Sequence, residues 1–467
     1  MKSEGDVNPP KRAMPAFLQN MTNANQNIIC TAKGNDVRKA SIADLLSERL
    51  RIPIFQRRYC WGKDQWDTLL DDALIVADGS KEKHALGRIT CVRSNASGDG
   101  RLLVIDGQQR NTTCSLLLAA IRDVALSKHA GNDACQNLAG KLNSYLFPGA
   151  ADFQAWLSQD REIVEGMSLD FAALIPTYCD RASYYSAILP PQSGVSALEA
   201  FGEWRRPWEA KCHFVNQLHA FDSNRLVRLA EAVLHKLEWL LFPISIDGDH
   251  QDGTEDLQVI FERLAIRDAT WCKPTRATEF ASMGAADFVR NLLLGSFRQE
   301  ADAIKMYKQY WLEIEQAAAD ASIRNRTSNI AEVLEGMMSK FLKEQAEDSQ
   351  TTPLQQSVVG GQLYPRFRRW FTVALSTDVS SELDESEAEA MERKTTTILR
   401  RLHEFAIGFL ARITFSEEER VLGVSATKTN GKQPTRAASA AKWRCSRCSF
   451  PNQVGSNQCT ACCLARS

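Results

Sequence analysis

Long apolar runs are missing from this chain, histidine is scarce, and acidic residues disappear from its C-terminal tail. No stretch approaches the roughly 18 consecutive apolar residues of a membrane span, so no spanning helix is expected. The start, Met1–Phe17, is polar and broken by proline, and carries no signal-like apolar segment. No internal repeat is visible. Cysteine pairing is sparse as well. Of 13 cysteines, eight stand singly before residue 300 (Cys30, Cys60, Cys91, Cys114, Cys135, Cys179, Cys212 and Cys272). That is free-thiol usage and points to an intracellular, reducing compartment. The net charge of −1 hides an asymmetry: beyond Val424 stand Lys428, Lys432, Arg436, Lys442, Arg444, Arg447 and Arg466, and all 57 acidic residues lie before it. A basic tail suits acidic partners, or simply solvates a linker.

What remains is ordinary globular material, 44% hydrophobic and 24% charged, in a chain long enough for two or three domains. Residues 1–36 read as a disordered N-terminus. A compact region begins near Val37, with a short helix and then an extended segment fixed by Pro53. Apolar spacing predicts a helix over Trp61–Ala77, strands at Leu86–Val92 and Leu102–Ile105, and a helix over Asn111–Leu126. Beyond about residue 195 the pattern is almost entirely helical, with one further strand at Leu240–Ile246 and a long helix at Met391–Ile413. Residues 416–442 form a flexible basic linker.

Two places concentrate chemistry. The first is the tail, where Cys445, Cys448, Cys459 and Cys462 form two C-x-x-C pairs framed by Trp443 and Asn452. Four thiolates so spaced can surround one structural Zn²⁺ tetrahedrally. Residues 443–463 have little apolar material, so the metal would supply the folding free energy, on the order of 10–16 kcal/mol.

The second is Val104–Thr113. A buried strand ends at Asp106-Gly107 and the chain turns straight into a helix carrying Gln108, Gln109, Arg110, Thr112 and Thr113. Free N–H groups at a helix start attract anions, Gly107 permits close approach, and Asp106 can hold a divalent metal that phosphates share. The same residues also suit an ordinary turn capped by Asp or Thr, and local physics does not separate the two readings. Upstream, Gln56 and Arg58 alternate with Arg57 and Tyr59 along the extended segment, so one arginine can face a site while its neighbour faces water; taken alone, the segment reads first as a surface strand with ion-paired arginines. The basic-aromatic run Tyr364–Phe371 is read as core with solvated arginines.

Taken together, these segments resemble the N-terminal domain family of GmrSD-type restriction enzymes, whose core is related to the ParB/sulfiredoxin fold. Ile52–Trp61 resembles its IPxFQRxYxW start, His84–Ile89 its hxLGxI strand, Asp106–Arg110 its DGQQR hallmark, and Pro176–Arg181 its PTYxDR segment. Phe261–Leu264, Asp287–Asn291 and Tyr310-Trp311 are similar to later helical landmarks. The resemblance implies an α+β chain: a ParB-like mixed domain over 37–194, then a mainly helical extension over 195–415. It also implies nucleotide binding, in some members NTP hydrolysis with Mg²⁺ coupled to DNA restriction. Asp106 and Arg110 would be catalytic, and Gln56, Arg57, Gly107, Gln108, Gln109, Thr112 and Thr113 would hold the nucleotide. Family members cleave DNA with a C-terminal His-Asn-His-type domain, and here His403 alone follows His250, so cleavage by this chain alone is not expected.

The tail is similar to the Ran-binding-protein-type (NZF) zinc finger. Its RNA-binding members carry an aromatic platform and paired arginines after the Asn, and here Gln453–Gln458 supplies neither. Ubiquitin binders carry Thr-Phe after the second Cys, close to Ser449-Phe450, although the small Ala461 replaces a larger apolar contact. Trp443, Ser449, Phe450 and Asn452 are therefore expected to meet a partner, with ubiquitin or another protein first and RNA or DNA second. The resemblance implies a cytoplasmic or nuclear setting, with no membrane partner. A non-enzymatic adaptor is the alternative to a nucleotide-binding protein.

Overall fold

The computed structural model describes residues 37–93, 100–157, 167–190, 205–245, 284–325, 330–347, 362–377, 386–424, 442–444 and 451–453. Within them the order is β1 (Arg38–Ser41), α1 (Ile42–Ser47), β2 (Leu50–Arg51), α2 (Lys63–Ala77), β3 (His84–Arg93), β4 (Leu102–Asp106), α3 (Gln108–Lys128), α4 (Asp133–Leu146), α5 (Ala150–Leu157), β5 (Leu174–Ile175), α6 (Arg181–Ile188), α7 (Arg206–Leu218), α8 (Ser223–Glu231) and β6 (Leu237–Ser245). Then follow α9 (Ala285–Leu294), α10 (Glu300–Met306), α11 (Leu312–Asn325), α12 (Ile330–Glu347), α13 (Leu363–Thr377), α14 (Glu387–Val424) and the short strands β7 (Lys442–Arg444) and β8 (Pro451–Gln453). No helix among the described residues is long and apolar enough to cross a membrane.

Six strands form one mixed sheet in the order β1-β6-β3-β4-β2-β5. β3 pairs antiparallel with β4 and parallel with β6, while β2 lies parallel between β4 and β5. Side chains alternate across a strand, and β4 uses both sides: Leu102 and Val104 enter one core, Leu103 and Ile105 the other. Helix α3 fills the first core. Every residue from Gln108 to Ala125 except Arg110 is buried, because α3 packs against both α4 and α7 while lying in the same core as the sheet. A helix buried on all sides has to be central. The second core joins the other face of the sheet to α9–α14 through Ile54, Phe55, Val92 and Ile105.

Three sequence expectations change here. The strand expected at Leu240–Ile246 is Leu237–Ser245, and it sits between β1 and β3. The stretch expected to be helical from residue 195 therefore divides: α7, α8 and β6 join the first core, and only α9–α14 build the second. The helical pattern after residue 195 is also interrupted earlier than expected, since α8 passes through a wide turn at Ala232–Lys236 and becomes strand at Leu237. The run Tyr364–Phe371 is core, as expected: Phe367, Trp370 and Phe371 are buried on α13. Buried Arg101 acts as a fastener. Arg101 donates to the carbonyls of Asp170 and Ala172 at 2.6 and 2.9 Å, tying β4's start to the chain before β5.

Candidate nucleotide site at the β4–α3 turn

The turn forms as its sequence requires. Gly107 has φ +96°, a left-handed conformation that glycine adopts without the penalty of a Cβ. A Cβ there would lie 3.2 Å from Ile89 Cγ1. As the N-cap of α3, Gly107 supplies no side-chain acceptor, whereas Ser41 caps α1, Asn132 caps α4 and Asp222 caps α8. The strand therefore delivers Asp106 next to a helix start whose N–H groups no capping side chain satisfies.

The three glutamines spend their amides on the backbone. Gln56 Nε2 donates to Ile105 O at 2.8 Å. Gln108 Nε2 donates to Arg57 O at 3.3 Å and Gln109 Nε2 to Arg58 O at 3.1 Å. Gln109 Oε1 also accepts from Cys60 N at 2.9 Å. Together they strap residues 56–60 across the β4–α3 corner. The alternation expected for this segment does not hold. Gln56 N donates to Pro53 O at 3.1 Å, and this turn resets the pattern so that Gln56 and Tyr59 both point inward and are buried. Thr112 and Thr113 are buried too. The Thr113 hydroxyl lies 2.8 Å from Tyr59 Oη, which also accepts from Trp66 Nε1 at 2.8 Å.

Asp106 and Arg110 do not come together. Arg110 donates to Leu86 O and lies 4.9 Å over the Trp239 ring. Gly87 makes room for it, since a Cβ there would lie 2.7 Å from Arg110 Nη1. Arg110 thereby lines a cleft of about 310 Å³ with Trp61, Gln65, Asp72, His84 and Leu86. Asp106 instead meets Arg88, Nη2 to Oδ2 at 3.5 Å, and Arg88 stands 5.9 Å over Phe242. Trp239 and Phe242 are three apart on one strand, so they project from opposite faces. Arg110 serves the α3 face, and Asp106 the face covered by α9–α14.

On that second face the structure adds residues that local sequence reasoning missed. Thr90 sits in register with Asp106 beside a bulge, is 2% exposed, and its hydroxyl has no partner. A lone threonine in a strand gives no sequence signal. Asp287 on α9 caps Gly284 N at 3.1 Å. Burial pushes its carboxyl above the usual value, and Arg57's charge works against that rise. Burial likewise raises the Cys60 thiol, with Arg57 opposing. Arg58 turns into a buried cluster, pairing with Glu315 at 2.7 Å and donating to Tyr307 Oη at 2.8 Å. Burial would raise the Glu315 carboxyl, but Arg58 and Arg290, with donors Tyr307 and Trp311, outweigh it and hold it below the usual range.

Among the described residues, no three His, Cys, Asp or Glu side chains gather as a metal site. A cation at Asp106 would thus draw most of its ligands from phosphate and water, as Mg²⁺ commonly does. The cysteines Cys445, Cys448, Cys459 and Cys462, with Ser449 and Phe450, lie outside the described residues. Flanking the first pair, β7 and β8 run antiparallel, with Trp443 opposite Asn452. Among the described residues His403 joins no group of metal-ligating side chains; its Nε2 meets Glu313 at 2.7 Å.

Residues 42–267 match the model of the family described as GmrSD restriction endonuclease, N-terminal domain. No curated protein matches the chain. The family match takes in β6 and ends before α9, so it contains almost the whole first core and sheet but none of α9–α14.

Proposed function

We propose that this protein, through its GmrSD N-terminal domain, binds a nucleotide with its phosphates at the start of α3, as a component of a restriction system. The observation that carries the reading is the β4–α3 turn: a glycine N-cap leaves the first-turn N–H groups of α3 without a side-chain acceptor, directly beside Asp106. Such a helix start attracts phosphate through N–H donors and the helix dipole. Asp106, carrying one carboxylate, suits a Mg²⁺ ion shared with phosphate oxygens. Gln56, Gln108 and Gln109 act by holding the turn and residues 56–60 in shape, and Arg110 by fixing α3 against β3. Turnover of the nucleotide belongs to the same reading.

The test is a thermal-shift panel of the four NTPs and their diphosphates, with and without Mg²⁺, on the full chain, with phosphate release as a second readout. Stabilisation in wild type that disappears in Asp106→Ala supports the reading. No shift with any nucleotide, or an unchanged shift in that variant, overturns it.

The tail supports a second function, a zinc-stabilised recognition head. Its support is the pairing of Trp443 with Asn452 across the β7–β8 hairpin, which brings two partner-binding candidates into one register around the first C-x-x-C pair. Ubiquitin or a similar protein surface is the preferred partner, single-stranded RNA the second. Pull-downs of each with wild type and Phe450→Ala separate them, and retention of both after the substitution removes the finger from the account.

A further inference from the structure

Helix α9 presents a polar face to the segment that the glutamines strap down. Asp287, Arg290 and Asn291 stand at i, i+3 and i+4 and therefore share one side of the helix. Arg290 fixes where that side points, since its Nη2 donates to Ile54 O at 3.0 Å. From the same segment, Gln56 reaches Ile105 O at 2.8 Å, one residue before Asp106, and Gln108 holds Arg57 O. Residues 54–57 are thus bonded both to α9 and to the chain around the Asp106–Gln108 turn. Asp106 itself points to the face of the sheet that α9–α14 cover, as its contact with Arg88 requires.

Asn291 is the anomaly on that face. It is 1% exposed, and neither Oδ1 nor Nδ2 has a hydrogen-bond partner. A buried polar group left unpaired is destabilising, so an apolar side chain of similar size would suit the core better. Persistent orphans of this kind call for a ligand or a trapped water. Across the sheet corner the Thr90 hydroxyl, in register with Asp106, is orphaned as well. Asp287, four residues before Asn291, adds a carboxylate to the same side.

We propose that Asp287 and Asn291 of α9 form the second wall of the nucleotide site, taking the divalent cation and terminal phosphate of the nucleotide bound at α3. This rests on the reading above and extends it beyond the family-matched stretch. One carboxylate and one amide oxygen, completed by phosphate oxygens and water, match the oxygen set Mg²⁺ prefers. The amide N–H₂ remains a donor to phosphate. The helical extension thereby senses whether the phosphate end is occupied.

The experiment compares wild type, Asn291→Leu and Asn291→Asp as full chains. It measures the apo melting temperature and the Kd for each nucleotide with and without Mg²⁺. Asn291→Leu should melt higher than wild type yet bind Mg²⁺-nucleotide roughly ten- to a hundredfold more weakly, as loss of a hydrogen bond to a charged group predicts. Asn291→Asp should keep Mg²⁺-dependent binding and lose binding without the metal; this variant decides the matter if the leucine variant does not fold. Higher melting with unchanged Kd in Asn291→Leu, or metal-free binding kept in Asn291→Asp, makes Asn291 a water-bridged core residue and overturns this proposal alone. No nucleotide shift in wild type overturns it together with the reading it rests on.

Discussion

Replacing Glu315 by glutamine tests how the helical extension is fastened to the family-matched domain. Glu315 on α11 faces Arg58 at 2.7 Å and Arg290 at 3.8 Å, and it accepts from Tyr307 Oη and Trp311 Nε1, both at 2.8 Å. The Arg290 side chain is 2% exposed and the Glu315 side chain 15%. The substitution keeps the shape, removes the only carboxylate among these partners, and turns an N–H₂ toward groups that are themselves donors. Breaking a buried ion pair from one side costs about 3–5 kcal/mol, because the other charge stays buried without compensation. For a body of this size that lowers Tm by roughly 4–6 °C. Differential scanning calorimetry at pH 7 measures it, and limited proteolysis should show α9–α14 becoming sensitive first. The pH dependence carries a sign. Glu315 is held below its ordinary 4.5 in the folded state, so its contribution is complete above that value and fades as pH falls through the folded one. Wild type and Glu315→Gln should therefore converge in acid. A loss under 1 kcal/mol at pH 7, or a difference that persists unchanged down to strongly acid pH, would refute the reasoning.

Gln109→Ala removes both bonds that hold Arg58 and Cys60, and should cost about 1–3 kcal/mol, read by chemical denaturation, with faster amide exchange confined to residues 56–60. Gly107→Ala forces a left-handed residue to carry a Cβ close to Ile89. It should destabilise by at least about 1–2 kcal/mol in the same assay; an unchanged midpoint would mean that the turn relaxes freely. Elemental analysis of the full chain should find one zinc, lost in Cys448→Ser, with the melting of the body unaltered.

How far the site was legible depended on how local each feature is. The strand, Gly107 and the helix start follow from a few adjacent residues, and the order of segments led to the family whose model matches residues 42–267. Where side chains go from that turn was not legible. Arg110's path depends on Gly87, a residue distant in sequence whose missing Cβ leaves room for the guanidinium. The inward turn of Gln56 depends on one backbone bond to Pro53. β6 reads locally as a strand only from Leu240; that it begins at Leu237 and lies between β1 and β3 follows from its partners. Glu315 and Arg290 lie on helices whose apolar periodicity gives no hint that their polar residues converge on residues 54–58.

That convergence has a mechanical consequence. Residues 54–60 are gripped by the β4–α3 corner through Gln56, Gln108 and Gln109, and by the extension through Arg290 on Ile54 and through Arg58 on Glu315. A segment held by two cores cannot shift relative to one without straining the other, because packed interiors deform in discrete steps rather than continuously. A ligand that binds better to one arrangement of the corner must therefore bias the extension by the same free energy, and the extension must bias the ligand in return. The coupling can be measured without knowing the downstream target: Glu315→Gln loosens the extension's grip, so it should change the nucleotide Kd although Glu315 lies outside the β4–α3 turn. Equal Kd values in wild type and Glu315→Gln, measured where both are fully folded, would mean that the two grips act independently.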